Sequence, residues 1–352
     1  MDLIHPHTSA DVADALKEAS AHGTRVLVVG GRTHMDRGNP CEVDAELWVT
    51  QLDQVVAYES PEMLVVVEAG MRCGALAALL TENGQEWPVD APADATVGGV
   101  IAAGVSSPRR ARVGHIRDTV VEMEVATGDG RLIHSGARTV KNVTGYDVHR
   151  LLTGSLGTLG VITQVALKVR PLPEATMTLS ADGPGMEVAG RLLDAVPSAA
   201  LIVAAPGHVR IRLEGWAGEV DAQATAARAA ATLYDNDAAR ASEPVPFLAD
   251  EPEGASVVEA AVPASRLGEV VGDAADWRAL VGVGMAWIGV SDAEELADVR
   301  TRAAALGGIA PIVRGPGGLG TTPIPAAAVH AGLKAAFDPA GILAPGRFWG
   351  SG

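Results

Sequence analysis

Aromatic residues are scarce in this chain: Phe, Trp and Tyr make up 3% of its 352 residues. The six tryptophans, at 48, 87, 216, 277, 287 and 349, are spaced too irregularly to form a platform for stacked bases, which assigns them to core and interface positions. There are two cysteines, Cys41 and Cys73, too few for a four-thiolate zinc or iron–sulfur site and too far apart for a C-x-x-C pair. The histidines show no H-x-x-x-H spacing, so no metal site is expected. Only four lysines occur, and 27 basic residues face 43 acidic ones, a net charge of −16 that argues against a broad nucleic-acid footprint. The longest apolar stretch, Val97 to Val105, is half glycine and alanine and too short to span a bilayer. The N-terminus, Met-Asp-Leu-Ile-His-Pro-His, has neither a basic n-region nor an apolar h-region, which argues against a signal peptide. No G-x-G-x-x-G follows the first strand and no G-x-x-x-x-G-K-[ST] occurs, which excludes the common dinucleotide and P-loop fingerprints. The expectation is a cytoplasmic protein, with peripheral docking at the inner face of a membrane left open.

What is present is 48% hydrophobic and 20% charged residues, enough for a well-buried core in two domains. Thr8 or Ser9 caps a helix whose apolar positions Val12, Ala15, Leu16 and Ala19 fall at helical spacing, and Gly23 ends it. Arg25–Val29 reads as a buried strand broken by Gly30-Gly31. Leu64–Ala69 is a second strand, followed by a helix near Gly74–Leu80. Val120–Ala126 turns at Gly128-Asp129-Gly130 and returns through Arg131–His134, a hairpin signal. Val161–Val169 is a long strand closed by Pro171 and Pro173. Beyond it the rhythm changes to strands at 201–205, 209–213, 257–262, 281–290 and 309–313 alternating with helices at 219–234, 265–275 and 292–306, an α+β layer of ferredoxin-like type. The division is 1–173, 174–322 and a tail, 323–352, that returns to the first domain.

Three segments carry chemistry. Val28-Val-Gly-Gly-Arg-Thr-His34 ends a strand in two glycines, where successive amides can turn toward an anion. An ordinary Gly-Gly turn fits the same residues equally well. Pro92–Gly104 is dominated by small residues, which a ligand lying on the backbone requires, and so does tight helix packing. It leads into the basic stretch Ser106-Ser-Pro-Arg-Arg-Ala-Arg112, which suits phosphate, a carboxylate or a partner, or simply a solvated loop. Lys141–Asp147 precedes Leu151-Leu-Thr-Gly-Ser-Leu-Gly-Thr-Leu-Gly-Val-Ile-Thr163, whose glycines at 154, 157 and 160 are poor for a helix interior and predict a tight loop.

Taken as a set, the order Gly-Gly-x-Thr, Ala-Thr-Val-Gly-Gly with Ala-Ala-Gly, then Gly-Ser-x-Gly-Thr-Leu-Gly-Val-Ile-Thr resembles the FAD-binding domain of the vanillyl-alcohol oxidase (PCMH-type) flavoproteins. Within that family the resemblance points to FAD-binding subunits of glycolate oxidase type, through Ser107–Ala111, Lys141–Asp147, Leu156 and Phe337–Arg347. It implies an α+β fold of two subdomains followed by a ferredoxin-like cap. It also implies roles for particular residues. Gly30, Gly31, Arg32, Thr33 and His34 would form the pyrophosphate loop, with Arg32 standing where the family has a third glycine and free to offer its charge to the phosphates. Thr96, Gly98, Gly99, Gly104 and Ser106 would line the second FAD segment, and Gly114 would sit near the isoalloxazine. Gly160, Val161 and Ile162 would hold the adenine end. His34 lies two positions from where a covalently attached flavin would need it, so FAD is expected to be non-covalent.

Catalytic 2-hydroxy-acid members carry a His-Gly-x-Gly-type motif near the C-terminus. Here that half has only His208 and His330, neither in such a pattern. His115 and Arg347 remain as the catalytic candidates. The resemblance therefore implies a subunit that holds FAD and passes electrons, with a catalytic flavoprotein subunit and an iron–sulfur subunit as partners. Two alternatives stand beside it: a self-sufficient FAD-linked oxidoreductase of a 2-hydroxy acid, and a non-catalytic assembly subunit that binds flavin weakly.

Overall fold

The computed structural model describes residues 1–105, 107–137, 147–235, 252–316 and 327–348. Ser106, residues 141–146 of the third motif and Trp349 lie outside that set. The chain divides into two compact units, one formed by 1–106, 115–172 and 321–352, the other by 107–114 and 173–320.

The first unit opens with β1 (Asp2–Ile4), α1 (Ser9–His22), β2 (Val26–Val29) and β3 (Ala45–Trp48), whose strands form a parallel sheet in the order β1-β3-β2. Helix α1 starts where the sequence says it should. The Thr8 hydroxyl accepts the Asp11 amide at 3.1 Å while the Asp11 carboxylate accepts the Thr8 amide at 2.9 Å, a reciprocal cap. The amides of His7 and Thr8 and the Thr8 hydroxyl hold the Asp11 carboxyl below its ordinary value. Gly23 ends the helix in the left-handed conformation.

A second, antiparallel sheet follows. Its strands are β4 (Val55–Glu59), β5 (Leu64–Glu68), β7 (Val120–Ala126), β8 (Leu132–Gly136) and β9 (Val161–Lys168), in the order β4-β5-β9-β7-β8. The short strands β6 (Gln85–Glu86) and β10 (Arg170–Pro171) pair separately. Helices α2 (Cys73–Thr81) and α3 (Val97–Ala103) bury Leu76, Leu80, Val97, Val100 and Ile101 against Val65, Val67, Met123, Val165 and Leu167. Each such apolar side chain contributes about 1.5–3 kcal/mol by leaving water. Val161 and Ala126 turn the other way and join Val12, Leu16, Leu47 and Leu343 in a core shared with the parallel sheet. Strand β9 is thus buried on both faces, and it fixes one sheet against the other.

The four-residue helix α4 (Arg110–Val113) groups with the second unit, whereas α5 (Val148–Leu152) belongs to the first. The second unit contains β11 (Ala175–Asp182), α6 (Gly185–Ala195), β12 (Leu201–Ala205), β13 (His208–Gly215), α7 (Ala217–Ala230) and β14 (Tyr234–Asp235). These are followed by β15 (Ser256–Ala261), α8 (Leu267–Val271), β16 (Trp277–Leu280), β17 (Met285–Val290), α9 (Ala293–Ala305) and β18 (Ile312–Arg314). All eight strands form one sheet in the order β14-β11-β13-β12-β16-β17-β15-β18. The expected ferredoxin-like βαββαβ pattern is present, and it occurs twice. The two copies meet strand to strand where Val203 and Ala204 of β12 pair with Leu280 and Ala279 of β16. One expectation needs correction here: 281–290 is not a single strand. Residues between β16 and β17 turn, and the two strands pair as a hairpin, Leu280 opposite Met285. The long strand β11 and the helix α6 were not foreseen.

The chain then returns to the first unit through α10 (Ala327–Phe337) and the tail. Asp338 is buried at 1% exposure and accepts the amides of Ile342 at 3.1 Å and Leu343 at 2.8 Å. Lys334 answers its charge at 2.6 Å and also donates to the Leu343 carbonyl at 2.8 Å and the Thr158 carbonyl at 2.8 Å. One ammonium therefore ties the tail to the loop before β9.

Candidate flavin-binding cleft

The first unit contains an open cleft. Five pieces of chain form it: the end of β2 with the loop after it, Val49 just after β3, helix α3, the turn before β9 with the start of that strand, and Arg347 of the tail.

The loop after β2 is built for backbone contact. A Cβ on Gly30 would stand 2.2 Å from the Thr96 hydroxyl oxygen, and one on Gly31 would stand 2.4 Å from the Asp94 carbonyl oxygen. Neither distance is tolerable, so glycine is required by close approach. Arg32 adopts φ +60°, a left-handed conformation that costs a non-glycine residue about 1–2 kcal/mol. It occupies the position where the resemblance expects glycine, and it keeps glycine's conformation. The amides of Gly31, Arg32 and Thr33 donate to no acceptor among the described residues. A left-handed residue within such a run is the backbone signature of an anion nest.

Opposite the loop, Thr96 caps α3, accepting the Gly99 amide at 3.3 Å. Gly98 packs on Ala69, where a Cβ would clash at 2.6 Å. The turn before β9 seats itself on the end of α3: the amides of Gly154 and Leu156 donate to the carbonyls of Ile101 at 3.0 Å and Ala102 at 2.8 Å. The Ala102 carbonyl has no partner inside the helix, so the turn satisfies it, while the Ile101 carbonyl takes the Gly154 amide beside that of the Gly104 cap at 3.0 Å. Arg347 is buried at 7% exposure, donates to the Met35 carbonyl at 2.8 Å, and accepts the Asn39 amide on its own carbonyl at 2.7 Å.

Of the expected cofactor residues, Gly30, Gly31, Arg32, Thr33, His34, Gly98, Gly99, Gly160 and Ile162 line the cleft, and so does Arg347. Thr96 stands behind the loop, and Gly104 packs against Gly154. Val161 is turned into the core. Gly114 ends α4, and Ser106 is outside the described residues. Arg32 does not direct its guanidinium as expected: it meets both carboxylate oxygens of Glu46 at 2.5 Å. His34 bonds through Nδ1 to the Thr33 hydroxyl at 2.8 Å. His115 has a structural task. Its Nδ1 accepts the Arg117 amide at 3.1 Å, capping the turn Ile116–Asp118. His208 faces Asp182 at 3.3 Å, and His330 lies against Phe348. Burial pushes the Cys73 thiol up to about 12, which removes it as a nucleophile.

Val28, Ala102, Ala103 and Leu156 lie in the segments the sequence singled out without being assigned as lining residues one by one, and Met35 and Val49 were missed altogether. Leu156 carries a signal only in retrospect: it is left-handed at φ +55° inside the glycine-rich turn. In a protein with an excess of acid, the described lining includes Arg32, His34 and Arg347 and no Asp or Glu. The cradle of crowded glycines, unpaired amides and basic side chains fits the diphosphate of a dinucleotide. Among the described residues no helix is long and apolar enough to cross a membrane, and no group of three or more His, Cys, Asp or Glu is placed to hold a metal ion.

Comparison with known proteins shows what this α+β fold and its cleft are similar to. Residues 3–136, nearly all of them in the first unit, match the family model described as the FAD binding domain. Over 97% of this chain and 97% of the relative, the sequence is 28% identical to glycolate oxidase subunit GlcE of Escherichia coli. It is 30% identical to the mitochondrial D-lactate dehydrogenase (cytochrome) of Arabidopsis thaliana, over 49% of this chain and 30% of that one. It is 32% identical to the mitochondrial D-2-hydroxyglutarate dehydrogenase of Bos taurus, over 52% of this chain and 34% of that one. The chain thus spans about a third of each dehydrogenase. An alkyldihydroxyacetonephosphate synthase shares the fold at a TM-score of 0.72 and 17% identity, over 97% of this chain and 75% of its own.

Proposed function

We propose that this chain is the FAD-binding subunit of an oxidase or dehydrogenase complex acting on glycolate or a related 2-hydroxy acid, with FAD held non-covalently. The observation that carries the reading is the cleft: a loop that only glycines can build at 30 and 31, facing α3 across unpaired amides, in a chain similar along its whole length to a glycolate oxidase subunit.

Gly30–His34 would receive the diphosphate on backbone amides, a fixed set of dipoles that needs no reorganisation when the anion arrives. Gly99, Ala102 and Ala103 would leave room for the flat part of the ligand on α3, which Gly98 lets sit close against Ala69. Gly160 and Ile162 would border the adenine end, and Ser106, Gly104, Gly114 and Val161 would act around this frame as the resemblance implies. Arg347 locks the loop 35–39 behind the cleft. FAD supplies hydride acceptance in pairs of electrons and their release one at a time to an acceptor. The lone histidines at 115, 208 and 330 are engaged structurally or stand apart from the cleft, so substrate oxidation falls to a partner. The partners would be a catalytic flavoprotein subunit and an iron–sulfur subunit, in a cytoplasmic complex able to dock at the membrane.

The test is the visible spectrum of the purified chain before and after acid precipitation, then on adding glycolate with and without the partner subunits. The reading expects flavin released to the supernatant, no bleaching by glycolate alone, and bleaching with partners. A colourless chain that takes up no FAD overturns it. Flavin retained in the pellet overturns the non-covalent assignment.

A further inference from the structure

Arg32 occupies the left-handed centre of the cofactor loop without glycine's freedom, and the surroundings show how it is held. Its guanidinium meets both oxygens of Glu46 at 2.5 Å and lies over the Trp48 ring, 4.8 Å from the centroid. Trp48 Nε1 donates to the same carboxylate at 3.0 Å. Glu46 and Trp48 are two apart on β3 and so share a face. Strand β3 is the middle of its sheet, with Glu46 in register with Leu3 on one side and Leu27 on the other. Glu46 is 5% exposed. His5 stacks on Trp48 at 6.1 Å. The acceptor of Arg32 is therefore a buried carboxylate on a rigid strand, supported by an indole from the side.

We propose that Glu46 is a positioning residue for the cofactor loop: by clamping Arg32 in the left-handed conformation it presets the amides of residues 31–33 for the FAD diphosphate. The proposal rests on the reading of the chain as a flavoprotein. A glycine at this position would reach the same conformation but would also sample others. The charge-assisted contact of the Arg32 Nη2 with both Glu46 oxygens holds one end of the guanidinium, and stacking over the indole fixes its plane, so the clamp trades freedom for preorganisation. Glu46 makes no claim on the ligand itself. Its effect travels through Arg32.

The experiment compares Glu46→Gln in the native chain and in the Arg32→Gly background. Two quantities are read: FAD affinity by calorimetric titration of the deflavinated protein, and hydrogen exchange at amides 31–34 of the same protein without flavin. In the native background Glu46→Gln is expected to raise the FAD Kd about tenfold and to speed exchange at 31–34 severalfold. In the Arg32→Gly background the same substitution is expected to change neither by more than about twofold. Arg32→Lys, which keeps the charge and loses the planar guanidinium stacked on Trp48, is expected to mimic Glu46→Gln. Equal effects of Glu46→Gln in both backgrounds, or no effect in either, overturn the proposal. Failure of the native chain to bind any FAD would overturn the flavin reading instead, while the exchange comparison would still decide whether the clamp exists.

Discussion

At the scale of single residues, the cleft depends on what its glycines leave out. Gly30→Ala would place a methyl group 2.2 Å from the Thr96 hydroxyl, an overpacking worth about 1–3 kcal/mol. We expect a lower Tm and a substoichiometric ratio of flavin to protein absorbance. Removing the obstructing hydroxyl in Gly30→Ala/Thr96→Ala should recover part of both. Full flavin content in Gly30→Ala would show that the loop does not approach α3 as described. A second residue-scale effect concerns His149, which burial holds below its ordinary 6.5. It is 5% exposed, and its Nδ1 lies 3.2 Å from the Ser135 hydroxyl. The unfolded chain binds that proton more tightly than the folded one. The stabilisation is therefore complete above about 6.5 and is lost as pH falls from there through the folded value. Urea midpoints between pH 7.5 and 5.5 should drop further for the native chain than for His149→Gln. Parallel curves would remove His149 as the source.

At the scale of elements, the tail is an integral wall. Asp338 is buried, caps the turn 338–343 and relies on Lys334, which also holds the Thr158 carbonyl. Lys334→Met leaves a buried carboxylate without its cation, a loss of about 3 kcal/mol, to be read from denaturant midpoints. Adding Asp338→Asn should return part of the loss, because the neutral side chain needs no cation and its one oxygen still accepts one of the two amides, Ile342 or Leu343. If the double variant is no better than the single, the ion pair does not account for the effect. The sequence named the tail and the glycine-rich turn separately. Their connection through one ammonium, between residues 158 and 334, could not be read from either.

At the scale of the whole molecule, the cleft belongs to one of two units. Ligand binding stabilises what it binds by RT ln(1 + [L]/Kd), about 2.7 kcal/mol at a hundredfold excess over Kd. Saturating FAD should therefore slow hydrogen exchange in β9 of the first unit, and leave β15 of the second unit nearly unchanged. Equal protection in both strands would mean that the ligand engages the second unit as well.

The sequence by itself determined the elements with local signals. Thr8, Asp11 and Gly23 fix both ends of α1, because caps are satisfied by residues three or four positions away. The glycines at 30, 31, 98, 99, 157 and 160 marked the cleft segments, because only a position that must do without a side chain, or that takes an unusual φ, needs glycine. The βαββαβ rhythm of the second unit was legible, but its duplication was not. The copies share a pattern of elements rather than residues, and the hairpin between β16 and β17 reads in sequence as one apolar run. Only the tertiary structure decided where Arg32 points. A guanidinium beside a phosphate loop suggests the phosphate. The choice of Glu46 follows from β3 placing a buried carboxylate within reach, and that neighbour comes from strand pairing 14 residues along the chain. The same holds for Leu156, Met35 and Val49, apolar residues that line the cleft because three separate segments converge there, an arrangement that no local spacing encodes.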